Sequence, residues 1–248
     1  MRMRSGNPIL KEGTFGSTYA SPGEAMTVQG TVNRTLILLG LALAGAFTIW
    51  SRAYAEPGAP VVGIGMLVGG LGGFVMALVT IFKREWAPFT APIYALLEGV
   101  FLGAISAVFE SRYPGIAIQA VGLTFGACFV MLALYKTGVL QASPAFRRGV
   151  MIATGAIAIL YLVSMIAGFF GAHFSFMHDA SPIGIGLSLV VVVVASLNLV
   201  LDFDLIESGA RHGAPKHMEW FGAFALMVTL VWLYLEMLRL LSRLQQRR

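Results

Sequence analysis

Charge is what this 248-residue chain has least of: Asp, Glu, Lys and Arg together make up 12% of it, about half the share found in soluble domains. The few charges are spread unevenly, and between them lie uncharged runs of the roughly 20 residues that a spanning helix needs. A soluble globular fold is excluded, and an all-α membrane protein is expected. Cysteine is almost absent. The single thiol, Cys128, lies in an apolar run, so no disulfide framework exists. The first thirty residues contain no apolar segment of the kind that precedes a signal cleavage site, so no cleavable leader is expected. Also missing are a nucleophile elbow, a phosphate loop, a zinc signature and a dinucleotide fingerprint. The net charge of +5 sits mainly in the tails and short connections, without interleaved aromatics. That pattern fits loops beside a lipid headgroup layer and gives no reason to expect a nucleic-acid partner.

What is present reads as seven spans. Residues 1–30 are polar and rich in Gly, Ser, Thr and Pro, a cytoplasmic tail able to fold back over the helix ends. A single domain, residues 31–248, follows, with helices expected at about 34–52, 60–82, 90–109, 115–135, 149–171, 183–203 and 219–241. The second carries Gly63, Gly65, Gly69, Gly70, Gly72 and Gly73, which lets it approach a neighbour closely. In the sixth, the β-branched run Val190–Val194 is still read as helix, because lipid tolerates no open sheet edge. The basic residues set the orientation. With the N-terminus in the cytoplasm, Arg34, Lys83, Arg84, Lys136, Arg147, Arg148, Arg211 and Lys216 fall inside, and only Arg52 and Arg112 fall in outer loops. The C-terminal Arg239, Arg243, Arg247 and Arg248 break the rule. Either they are a late exception or the seventh segment does not cross fully.

Acids inside apolar segments are costly unless paired or hydrated, and they mark functional sites by default. Glu98 lies about two turns inside the third helix, facing Gly99 and Gly103. Asp202 and Asp204 lie two residues apart near the end of the sixth, on different faces, with Asn198 one turn before Asp202 and able to hydrogen-bond it. Glu236 lies inside the seventh, one turn before Arg239, so an ordinary intrahelical ion pair is an alternative role for it. Two carboxylates held together in a low-dielectric pocket share a proton and titrate as a pair, and ionised they can take up a hard cation. His173, His178 and Asp179 in an outer connection are a weak metal candidate, and no fixed metal or cofactor is expected.

The stretches Leu-Asp-Phe-Asp-Leu-Ile-Glu (201–207), Met-Glu-Trp-Phe-Gly-Ala-Phe (218–224) and Trp-Leu-Tyr-Leu-Glu-Met-Leu-Arg-Leu-Leu (232–241) resemble the Bax inhibitor-1/YccA family of transmembrane Bax-inhibitor-motif proteins. Tyr94-Ala-Leu-Leu-Glu98-Gly99 and Asn7-Pro8 fit its bacterial branch with a long N-terminal tail. The resemblance implies a seven-helix bundle with the last helix central, acting as a pH-sensitive calcium leak in an inner membrane. It also implies two sensor acids, on helices six and seven, and an assisting arginine after helix two. By motif these fall on Asp202, on Glu236 and on Lys83 or Arg84, with calcium held only transiently at the acids. Two departures stand out. The second acid is Glu where the family often has Asp, and the connection between the acids is about ten residues longer. A simple hairpin turning near 213 leaves Asp202 and Glu236 at depths roughly 18 Å apart, so Glu98 is the rival partner.

The sequence therefore predicts a proton-gated cation channel rather than an enzyme, since no helix pair offers a nucleophile with a base. The alternative is a membrane interaction protein whose tail regulates a membrane protease or stress machinery. The lipid bilayer, calcium and protons are the expected partners, and neither a homo-oligomer nor a specific protein partner is specified.

Overall fold

The computed structural model describes residues 25–55, 60–171 and 181–247. Seven helices run through them: α1 (Val28–Ala55), α2 (Val61–Phe82), α3 (Ala87–Arg112), α4 (Ile116–Lys136), α5 (Pro144–Phe169), α6 (Pro182–Arg211) and α7 (Met218–Gln246). All seven are long and apolar enough to cross a membrane. The described residues contain no strand, and Val190–Val194 is helical throughout.

Local chemistry explains the helix starts. Ser143 and Ser181 accept hydrogen bonds from the amides of Phe146 and Gly184, and Pro144 and Pro182 fill the first helical position, where a missing N–H costs nothing. The Glu110 carboxylate takes the Gly115 and Ala117 amides and so caps α4 from the end of α3. Most helices outrun their expected lengths. α1 begins at Val28, inside the expected tail, and α3 begins at Ala87 rather than near Pro92. α6 continues through Ser208–Arg211, a polar stretch expected to be loop. Hydropathy marks where the apolar layer ends, while helical hydrogen bonding continues into the polar layer beyond it.

Contacts give the helix directions. Ala42 meets Gly99 and Ala46 meets Gly103, so α1 and α3 are parallel. Gly69 meets Phe101 and Gly73 meets Glu98, so α2 and α3 are antiparallel. A β-carbon on Gly99 would fall 2.1 Å from the Ala42 carbonyl oxygen, and one on Gly69 would fall 2.6 Å from the Phe101 amide nitrogen. Only glycine lets these backbones touch, the small-residue packing that substitutes for hydrophobic driving force in lipid.

α7 is the centre of the bundle. It packs against α1, α3, α4 and α6, and it reaches α5 through Tyr161. In its most apolar window 67% of residues are buried inside the protein, against 50% for α6 and 39% or less elsewhere. Its face toward α1 and α3 carries Ala223, Phe224 and Met227, packed on Leu38, Ala91 and Tyr94. Leu230, Leu233 and Leu238 pack on Ile116, Val192 and Leu199. The outer surfaces of the bundle are studded with exposed Leu, Ile, Val and Phe, the surface that acyl chains cover.

We call the end where α1, α3, α5 and α7 begin the entry face, and the opposite end the exit face. At the entry face the segment before α1 folds over the α6–α7 turn. Ala25 bridges Pro215, the Met26 amide donates to the Ala214 carbonyl at 2.7 Å, and the buried Met26 side chain lies against Gly209 and Gly222. At the other end α7 runs unbroken to Gln246, long enough to cross. Arg239 and Arg243 do not behave as loop charges: both turn into the bundle, and Arg243 is only 5% exposed.

Candidate functional site

Asp202 projects from α6 toward α7, where the residue facing it is Thr229. Cys128 of α4 is close enough to feel its charge. Its buried Oδ2 has no hydrogen-bond partner, and the Thr229 hydroxyl donates weakly to its own helix at the Ala225 carbonyl (3.3 Å). Thr229 is eleven residues past the start of the 29-residue α7 and Asp202 is nine residues before the end of α6, so the acid lies in the entry-face half of the bundle.

Glu236 is on the same face of α7, seven residues beyond Thr229, about 10 Å toward the exit face at 1.5 Å per residue. The offset expected between the two acids survives in reduced form, and the expected carboxylate pair does not form. Glu236 is 1% exposed and has its own partners. Its Oε1 accepts from the Tyr161 hydroxyl at 2.9 Å and from Arg239 at 2.7 Å, and Arg239 also donates to the Tyr161 oxygen at 2.7 Å. The intrahelical ion pair, the alternative role the sequence offered for Glu236, is present. Its Oε2 is buried without a hydrogen-bond partner. The longer chain between the two acids accounts for the offset: α6 continues two turns past its expected end, and a six-residue turn precedes α7.

Glu98, the rival partner, is buried against α2 instead. Its carboxylate fills the notch left by Gly73, with Oε2 2.8 Å from where a β-carbon on that glycine would lie. Among the described residues, no second carboxylate is recorded as acting on Asp202. Asn198 turns away from Asp202 as well: its amide donates to Thr154 of α5 at 2.8 Å and to the Val194 carbonyl at 2.9 Å, tying α5 to α6. Asp204 pairs with Arg147 at the start of α5, at the polar edge where a solvated acid was expected. Lys83 is exposed at the end of α2. The Arg84 guanidinium lies 5.2 Å from the Phe221 ring centroid, two turns toward the entry face from Thr229, and reaches neither acid. His173, His178 and Asp179 lie outside the described residues. Among those described, no three His, Cys, Asp or Glu side chains converge as a metal site.

A second charged centre was missed. Glu219, in the first turn of α7, is fully buried. Its carboxylate accepts from the Thr27 amide and hydroxyl, both at 2.9 Å, and pairs with Lys216 at 2.9 Å and Arg34 at 2.5 Å. Gly30 leaves room for it, since a β-carbon there would fall 2.1 Å from Oε1. The sequence signal existed, an acid opening an apolar run with a basic residue three positions before it. Its partners Thr27 and Arg34, however, are about 190 residues away in the chain.

With this geometry in place, the comparison with known families is decisive. The family model described as Bax inhibitor 1 like matches residues 7–246. The chain belongs to the Bax inhibitor 1-like family. No curated protein matches it. As a Bax inhibitor 1-like chain it is a multi-pass membrane protein with seven apolar helices. It differs from the expectation the family resemblance raised in the partner of its helix-six acid, which is a threonine.

Proposed function

We propose that this protein is a pH-sensitive cation leak, with calcium as the permeant ion, in which Asp202 is the titrating group. One observation carries the reading: between α6 and α7 of a lipid-facing bundle, Asp202 has a buried carboxylate oxygen with no hydrogen-bond partner, and the group facing it is the Thr229 side chain. A carboxylate with one oxygen unpartnered inside an apolar segment is stabilised by a proton at low pH or a hydrated cation at higher pH, which links protonation to occupancy of the path. Glu236 then serves as a second station about 10 Å further along α7, held by Tyr161 and Arg239. The gate is a one-acid device with Thr229 opposite, followed by a locked glutamate. In this reading the entry face is cytoplasmic and the membrane is a bacterial-type inner membrane, which places most of the basic connections on the cytoplasmic side.

Calcium flux into liposomes from about pH 6 to 8 tests this for wild type and Asp202→Asn. Flux that depends on pH in the wild type and loses that dependence in the variant is the expected result. Equal pH profiles for the two proteins would refute the role of Asp202. A second reading, an interaction protein, draws on the fastening of residues 25–27 to the α6–α7 turn, through which a partner gripping the tail would act on α7. Absence of flux at every pH, with biological function lost on deleting residues 1–24, is the result that selects it.

A further inference from the structure

A groove of about 500 Å³ opens on the outer surface of the bundle between α1 and α4. These two helices form its sides and share no substantial contact, while α3 and α7 form its floor. Leu43, Phe47 and Ile118 on the sides are exposed, whereas Met227 and Leu230 on the floor are buried. Along α1 the lining runs from Leu39 to Trp50, a distance of about 17 Å at 1.5 Å per residue. That is about half of a hydrocarbon layer. Ile118, near the start of α4, places the groove on the exit-face side of the bundle.

The chemistry of the walls selects what fills it. Among the described lining residues none is charged. The hydroxyls are already engaged: Ser106 donates to the Leu102 carbonyl at 2.5 Å and pairs with the Tyr234 hydroxyl at 2.7 Å, and Thr124 donates to the Ala120 carbonyl at 2.7 Å. Water therefore finds few partners there, and a void forfeits the dispersion contacts of every side chain around it. An apolar helix from a second copy matches the chemistry but not the size. A volume of about 500 Å³ spread over about 17 Å is a mean cross-section of about 30 Å². A helix about 10 Å across needs about 80 Å². We infer that the groove seats one acyl chain of a phospholipid from the exit-side leaflet, with the headgroup at the level of Trp50. Because the groove is continuous with the lipid-facing surface, the chain enters sideways from the bilayer. Its tail then rests on Met227, Leu230 and Val231 of the central helix. The inference does not depend on ion conduction.

The test uses the full chain in phosphatidylcholine vesicles. A small fraction of the lipid carries a photoactivatable diazirine midway along one acyl chain, and labelled residues are mapped by peptide mass spectrometry after irradiation. Labelling should saturate and concentrate on the groove, its buried α7 floor included, where lipid lying on the outer surface does not reach. Val121→Trp fills the groove from the half-buried α4 side and should remove that enrichment. Leu123→Trp, at an exposed position of α4 outside the groove, should leave it intact. Size-exclusion chromatography checks that both variants fold, and the wild-type map decides the matter if one does not. Labelling spread over the outer surfaces in proportion to exposure would overturn the inference. So would enrichment that both variants keep or both lose, or an unlabelled groove whose residues cross-link to a second copy.

Discussion

Replacing Glu219 with Gln keeps the shape of the side chain and removes its charge. In the native protein the carboxylate receives two hydrogen bonds from Thr27 and two ion pairs, from Arg34 and Lys216, with no exposed surface of its own. Breaking a buried ion pair costs about 3–5 kcal/mol. Here the side chains of Arg34 and Lys216 are 22% and 46% exposed, so water recovers part of that loss and Lys216 contributes little. Gln can still accept from Thr27, but its amide donor then meets the Arg34 donors. The net loss should be about 3 kcal/mol, most of it at Arg34. For a chain of this size that lowers the melting temperature by about 6–12 °C, measurable by scanning fluorimetry in detergent. Lys216→Gln should shift it by no more than about 2 °C. Hydrogen exchange supplies an independent readout. The Thr27 amide, which donates to Glu219, should exchange faster in Glu219→Gln and stay protected in Lys216→Gln. A melting temperature for Glu219→Gln within about 2 °C of wild type would refute the claim that this carboxylate fastens α1 to α7.

Other perturbations follow from the same geometry. Thr229→Asp builds beside Asp202 the carboxylate pair that this chain lacks, and coupled acids release their protons in two steps; the pH profile of calcium flux should therefore broaden into two stages. Gly99→Val drives a side chain into the Ala42 carbonyl and should abolish monodisperse folded protein on size-exclusion chromatography. Gly126→Ala, where nothing lies within 4 Å, should be neutral or stabilising by up to about 1 kcal/mol. Tyr161→Phe removes one donor to Glu236 and one acceptor for Arg239 and should lower the melting temperature by about 3 °C, leaving the Glu236–Arg239 pair to hold the helix.

The fold class and number of spans were legible because each helix must satisfy its own backbone in lipid, so length and apolarity of a local segment suffice. The serines and prolines that start α5 and α6 are equally local. Helix ends were less legible, as Ser208–Arg211 shows: a polar residue marks the edge of the apolar layer and does not terminate hydrogen bonding. That Glu98 and Glu236 are buried and Asp202 half-buried could be expected from their apolar neighbours, but their partners could not. Whether Asp202 meets Glu236, Glu98 or Thr229 depends on how far α7 slides along α6, and a shift of seven residues exchanges one partner for another. Ile206 packs on Gly222 between α6 and α7, and the Glu219 anchor fixes α7 against α1; these are contacts between elements that no local pattern encodes. The sequence by itself determined a seven-helix membrane protein with acids at depth. Tertiary structure alone decided that those acids stand apart, that a threonine faces the first, and that α1 and α4 leave a groove over α7, because side-chain partners across helices are chosen by register and rotation rather than by composition.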